Sequence, residues 1–462
     1  MRSPTSLTTM LSILPVLAFS HPTTLYKLTD DLSYTSFFSS FSFYSDADPT
    51  NGFVRYLSLP SAISQKLIGY LPDTQSVFLG VDYTTKDPLG RASVRLESKA
   101  HWNQGLLVAD IIHMPSSECG VWPAYWLLGT DGKGGYEWPL HGEIDLLEGV
   151  NDQVGNAITL HTKTGCMVDN GTQMAGNSDV VDGSFSGFLT TDDCDVAAAG
   201  QEKNVGCSIK APETTDDVQK SNTDVGSNLL PSYGTQFNKA GGGVYAMEWT
   251  ESSISVWFFP RDSTAFNTHF GNETSSDDTL DPSTFGTPLA HFAGNGCDFT
   301  ERFKNMRIIF DTTFCGEWAG KDWEKSCAAK TGVKTCEEYV RENPEVYKEA
   351  YWEIKGLKWY QKEKEAKRDA KVSFVKTKGR WYDDMGCKKK PVIRVYRHFV
   401  IHFLLWSCRS VRSEGNLINA GVEVLACSNR LWERLVAFTK CKTLLLNNIF
   451  LNYYSLNTLL GS

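Results

Sequence analysis

The chain has 462 residues, 41% hydrophobic and 21% charged. This composition excludes a collagen, a fully disordered chain and a polytopic membrane protein, and at ~150 residues per domain the length fits two or three domains or one large β-sandwich. Of the formal charge of −9, residues 362–462 hold 19 basic and 8 acidic side chains, and the preceding 361 hold 26 and 46; so acidic a body excludes nonspecific nucleic-acid binding, which needs clustered cations, and suits a neutral or cationic partner.

At the N-terminus Arg2 precedes an apolar run over 10–19 and a small-x-small triplet, Ala18-Phe19-Ser20. This is the layout of a secretory signal peptide covering 1–20. The run is shorter than the ~20 residues that cross a bilayer, and Pro15 interrupts it. From about Leu25 to Gln361, short apolar or alternating segments are punctuated by Gly, Pro, Asn and Asp, and 93–98, 105–112, 121–128, 158–162 and 254–259 read as strands. Without a helix between successive strands, the pattern predicts an all-β antiparallel sandwich or barrel rather than a parallel α/β sheet. The polar stretch 192–234 reads as a long surface insertion held by Cys194 and Cys207. One short helix is expected at 336–342, ended by Pro344. Past Gln361 the composition turns basic, and the apolar stretch 392–408 carries Arg394, Arg397, His398 and His402, which suits no membrane span. Residues 362–462 are expected to form a poorly structured extension without chemistry.

Eight of the 12 cysteines lie in the body, at Cys119, Cys166, Cys194, Cys207, Cys297, Cys315, Cys327 and Cys336. An even set in an exported domain predicts disulfides, and without a CxxC pair a zinc site is a poor alternative. Their connectivity stays open among about 105 arrangements. Asn170-Gly171-Thr172 and Asn272-Glu273-Thr274 match the N-glycosylation acceptor.

The most informative segment is His141-Gly142-Glu143-Ile144-Asp145-Leu146-Leu147-Glu148-Gly149-Val150. On a strand, Glu143 and Asp145 share one face while Ile144 and Leu146 take the other. Strict alternation would send Glu148 to the wrong face, so a β-bulge around Leu146-Leu147 is needed to return it. On a helix Glu143 would lie roughly opposite the other two, so only the strand lets all three converge. Paired carboxyl groups, one ionised and one protonated, are what retaining glycoside hydrolysis requires. A third carboxylate between them raises the pKa of whichever member must keep its proton.

The motif order Val121-Trp122-Pro123-Ala124-Tyr125-Trp126-Leu127-Leu128-Gly129, Trp138-Pro139, Gly142-Glu143-Ile144-Asp145-Leu146-Leu147-Glu148-Gly149 and Thr159-Leu160-His161-Thr162 resembles glycoside hydrolase family 16, in its branch of secreted fungal endo-1,3(4)-β-glucanases, or laminarinases. Asp48 to Val54, Gly242 to Trp249 and Phe310 to Gly320 extend the likeness across the body. The resemblance implies a β-jelly-roll sandwich, concanavalin A-like, over 21–361, with a concave substrate cleft. It implies Glu143 as nucleophile, Asp145 as its assisting carboxylate, Glu148 as acid/base and His161 beside them. The substrate and only partner would then be a 1,3- or mixed 1,3/1,4-β-glucan, met by a secreted monomer without membrane, nucleic acid, metal or cofactor.

Indole faces suit the apolar faces of glucose rings. Trp138 is expected in the cleft, Trp126 fits cleft and core equally, and Trp122 and Trp257 are expected in the core. Trp318 is placed at the cleft by the resemblance alone. His113, His269 and His291 have no metal-ligand spacing and are expected to be structural. A glucan-recognition protein without turnover and a transglycosylase are the alternatives; the intact Glu143 and Glu148 speak against the first, and linkage preference, set by loops such as 130–137, stays open.

Overall fold

The computed structural model describes residues 25–168, 185–212, 230–271 and 279–363. The expected signal peptide, both glycosylation acceptors and the extension past Glu363 lie outside them.

Eight strands carry alternate side chains into a common core: β1 (Phe41–Tyr44), β2 (Arg95–Ser98), β3 (Val121–Leu128), β4 (Glu143–Glu148), β5 (Ala157–His161), β6 (Phe188–Thr191), β7 (Cys207–Lys210) and β8 (Arg307–Phe314). They hydrogen-bond antiparallel in the order β6-β7-β5-β4-β3-β8-β2-β1, which sets β4 mid-sheet. Behind them lies a second, nine-stranded antiparallel sheet, centred on Trp352–Lys362, Gly105–His113, Gly243–Trp249 and Ser253–Pro260. Leu96, Tyr125, Leu127, Ile144, Leu160 and Phe310 of the first sheet meet Leu107, Ile111, Tyr245, Met247, Val256 and Ile354 of the second in one buried cluster. At roughly 1.5–3 kcal/mol for each large side chain buried, this layer fixes the pleat of both sheets. The fold is the antiparallel β-sandwich the sequence pattern predicts, and the β-jelly-roll the family resemblance implies.

Because the pleat alternates, burying Ile144 and Leu96 turns Glu143, Asp145, Arg95 and Glu97 to the other face. That face holds the candidate site. The outer face of the second sheet is covered instead, with Val108, Val244, Trp257 and Phe259 packed beneath Phe266 of the helix Thr264–His269 and Phe285. Trp257 is thus a core residue, as expected.

Several elements depart from the sequence reading. The expected strand 93–98 is two: Arg91–Ser93 pairs in parallel with Val54–Tyr56, and β2 joins β8, so the chain changes partner at Val94. The stretch 192–234 is not wholly a surface insertion, since its residues 207–210 form β7, an internal strand with Ile209 fully buried. Four residues are too few to show an alternating pattern. The last strand also runs past the expected boundary at 361, pairing Lys362 with Tyr26, and the Glu363 N–H donates to the Leu25 carbonyl at 2.8 Å. The strand at 121–128 and the helix at 336–342 match end to end.

All eight body cysteines are paired: Cys119 with Cys327, Cys166 with Cys297, Cys194 with Cys207 and Cys315 with Cys336. The first and last tie the segment 315–350 to the sheet through a cluster holding Trp323, Val340 and Tyr347. Among the described residues no helix is long and apolar enough to cross a membrane. Two of the bridges close loops of 208 and 131 residues, and long loops confine the unfolded chain most. Full reduction is expected to lower the melting temperature by at least about 10 °C, from ~2 kcal/mol or more per native bridge; calorimetry showing no shift would contradict a stabilising role.

Candidate active site

Strand β4 delivers the three carboxylates. Its register against β3 pairs Glu143 with Leu128, Ile144 with Leu127 and Asp145 with Trp126, then slips, so that Leu147 faces Tyr125 and Glu148 faces Ala124. Leu146 is the extra residue. This is the bulge the spacing demands, and it restores Glu148 to the face of Ala124, Trp126 and Asp145. Asp145 and His161 are buried, whereas Glu143 and Glu148 remain partly open to solvent.

Each glutamate is held by an indole. The Trp138 Nε1–H donates to Glu143 Oε2 at 2.9 Å, and the Trp122 Nε1–H donates to Glu148 Oε1 at 2.9 Å. Trp138 stands in the loop before β4, ahead of a cis peptide bond to Pro139, and is 45% exposed. Trp122 packs edge-on against Trp318, centroids 5.7 Å apart. The expectation that Trp122 is a core residue is therefore overturned: its position in β3 has the parity of Ala124 and Trp126, the parity of the carboxylate face. Trp126 lies on that face too, its Nε1–H donating to Asp311 Oδ1 at 2.8 Å. Trp318 reaches the site through its contact with Trp122.

His161 sits opposite Glu143 in β5. Its Nε2 lies 3.2 Å from Asp145 Oδ2 and 3.9 Å from Glu143 Oε1. Glu143, Asp145 and His161 each offer a ligand atom within 4.8 Å of the others, so among the described residues these could hold a cation. The structure thus brings together all four expected catalytic residues and the three expected tryptophans.

Residues 41–360 match the family model described as the XgeA-like, catalytic GH16 domain. The chain belongs to glycoside hydrolase family 16. An endo-1,3(4)-β-glucanase of Arthroderma benhamiae is 41% identical over 337 residues, 73% of this chain and 65% of that protein. Among solved family members, an elongating β-1,3-glucosyltransferase is 39% identical with a TM-score of 0.59, covering 73% of this chain and 100% of its own. Laminarinase 16A of Phanerochaete chrysosporium, solved with 6-O-glucosyl-laminaritriose in donor and acceptor sites, is 35% identical with a TM-score of 0.59 and the same coverage. The chain spans about half to two thirds of the length of the curated relatives it matches.

The sequence reading missed the neighbouring polar row of this family 16 sheet. Arg95 and Glu97 in β2 pair at 2.9 Å, with the guanidinium over the rings of Tyr44 and Trp126 at 4.6 and 5.0 Å. The Tyr136 hydroxyl donates to Glu97 at 2.6 Å, and the Tyr56 hydroxyl donates to Asp311 at 2.8 Å. The available signal was parity: Arg95 and Glu97 alternate with the buried Leu96, and Asp311 alternates with Phe310. Burial pushes Asp311 up to about 6 against the pull of Arg95.

Burying acids together raises their pKa values. Glu143 is pushed up to about 8 by burial and then by Asp145, while His161 and the Trp138 N–H pull it down. Glu148 is raised by burial and by Asp145, and Asp145 by burial and by Asp311. The Trp122 N–H and His161 oppose the rise of Glu148 in the same way. A carboxyl raised in the folded state holds a proton that the unfolded chain releases, so between pH ~4.5 and ~8 stability falls as pH rises. Glu143→Gln removes that titration, and its melting temperature is expected to gain on the parent's steadily across this window; a constant gap would contradict the raised pKa.

Proposed function

We propose that the chain is a retaining endo-β-glucanase, hydrolysing 1,3- or mixed 1,3/1,4-linked β-glucans. The observation that carries this reading is the bulge at Leu146, which puts Glu143 and Glu148 on one open face, each with an indole N–H on its carboxylate. In the first step Glu148 protonates the glycosidic oxygen as Glu143 attacks the anomeric carbon, breaking the bond to the leaving sugar and forming a glycosyl ester. In the second, Glu148 takes a proton from water, which displaces Glu143. Two inversions restore the β configuration. Asp145 and His161 keep the nucleophile oriented and its charge balanced. Trp138, Trp126 and Trp318 provide ring surfaces for sugar. None of these steps calls on a cofactor.

The named activity of the Arthroderma relative and the glucan complex of Laminarinase 16A support the substrate class. The same glycosyl ester can be passed to a sugar hydroxyl instead of water, and the likeness to a β-1,3-glucosyltransferase favours this as the second reading. The four disulfides fit an enzyme working outside the cell. A secreted monomer whose catalytic body ends near Glu363, before the basic extension, completes the proposal.

The test is reducing-sugar release from laminarin and lichenan, with the anomer formed first read by NMR. Hydrolysis to the β-anomer is expected, with Glu148→Gln slower by about 10²–10⁴-fold on either polymer and Glu143→Gln folded but silent. An α-anomer would contradict retention. Binding without release would assign the protein to recognition, and a dominant yield of lengthened oligosaccharides would assign it to transfer.

A further inference from the structure

The bulge that returns Glu148 to the active face breaks a ladder, and one side chain takes over its hydrogen bonds. Strands β4 and β5 pair only from Glu143–His161 to Asp145–Thr159. Past that point the Leu146 carbonyl and the Glu148 N–H have no strand partner on this side. Asn156, fully buried in the connection just ahead of β5, supplies both missing groups. Its Nδ2 donates to the Leu146 carbonyl at 2.7 Å, and its Oδ1 accepts from the Glu148 N–H at 2.8 Å. A carboxamide carries the donor and acceptor of a peptide unit, so it stands in for the absent rung.

The amide is itself fixed. Its Nδ2 also lies 3.3 Å from the Tyr245 hydroxyl, which donates to the Ser232 carbonyl at 2.6 Å, and the Asn156 N–H donates to Ser232 Oγ at 3.1 Å. Tyr245 belongs to the second sheet, so the bulge is anchored across the sandwich rather than within its own sheet. We propose that Asn156 is a positioning residue that holds the Leu146 bulge open and thereby sets Glu148 on the face of Glu143. It acts through the backbone and touches no substrate. The proposal rests on Glu148 being the acid/base. Without the clamp the bulge can relax by one residue, and a one-residue slip turns a strand side chain to the opposite face, here toward the core. Asp at this position keeps the acceptor for the Glu148 N–H but loses the donor to Leu146, and Ala loses both.

A misplaced acid/base has a signature that lost stability lacks: it slows cleavage of poor leaving groups and spares good ones. The experiment compares Asn156→Ala, Asn156→Asp and Glu148→Ala on laminarin and on a dinitrophenyl β-laminaribioside, with and without azide, well below each melting temperature. Both Asn156 variants are expected to lose about 10²-fold or more in kcat/KM on laminarin and less than about 3-fold on the aryl substrate. Azide is expected to speed aryl turnover and yield the β-glycosyl azide, its nitrogen bonding to the anomeric carbon as the Glu143 ester bond breaks, with no base required. If Asn156→Ala does not fold, the near-isosteric Asn156→Asp carries the same expectation. Equal losses on both substrates without an azide effect, or unchanged laminarin activity, would overturn the proposal while Glu148→Ala still shows the signature. If Glu148→Ala lacks it too, the acid/base reading falls and this inference with it.

Discussion

A strand offers every second side chain to a given face, and the five positions separating Glu143 from Glu148 are an odd number. Nothing about glutamate itself can overcome that parity; only an added residue in the backbone can. The bulge at Leu146 is that residue, and the site depends on it. Ile144 and Leu147 stay in the core on either side of it, and the two halves of β4 keep registers that differ by one. The constraint that buries the aliphatics is the same one that turns the acids to the opposite face.

Gathering three carboxylates on a half-buried face is electrostatically unfavourable, and the surrounding residues answer it unevenly. Indole donors from Trp138 and Trp122 reach the two outer acids, while His161 lies nearest the central one. These donors stabilise charge without adding a competing cation at the glutamates. The guanidinium of Arg95 is set one strand beyond β8, where it pairs with Glu97 and offsets the buried Asp311. The guanidinium is thereby kept at the edge of the site, and the acids of β4 retain raised pKa values.

Much of this was legible in the sequence because it follows from alternation. The all-β class, the strand at 121–128, the helix at 336–342 and the need for a bulge near Leu146 all come from periodicity and parity alone. Trp122 shows how far parity reaches: it shares a strand face with Trp126, so once Trp126 lies on the active face Trp122 must lie there too, and the expected core position does not hold. β7 was hidden because four residues inside a polar stretch carry no pattern, and its place in the sheet comes from partners in β5 and β6. The break at Val94 was hidden because both halves of 93–98 alternate, and only tertiary pairing separates them. The disulfide connectivity and the Asn156 clamp join residues whose proximity exists only after folding, so no local signal announces them.

The central claim is that Glu143 forms a covalent bond with sugar while Glu148 faces it from across the bulge. Trapping tests it directly: the protein is treated with a 2-deoxy-2-fluoro-β-laminaribiosyl fluoride, whose ester with the nucleophile turns over slowly, and the labelled peptide is sequenced by mass spectrometry. A single added glycosyl group on Glu143 is the predicted result. Label on Glu148 or Asp145, or turnover of glucan with no covalent adduct, would contradict the account.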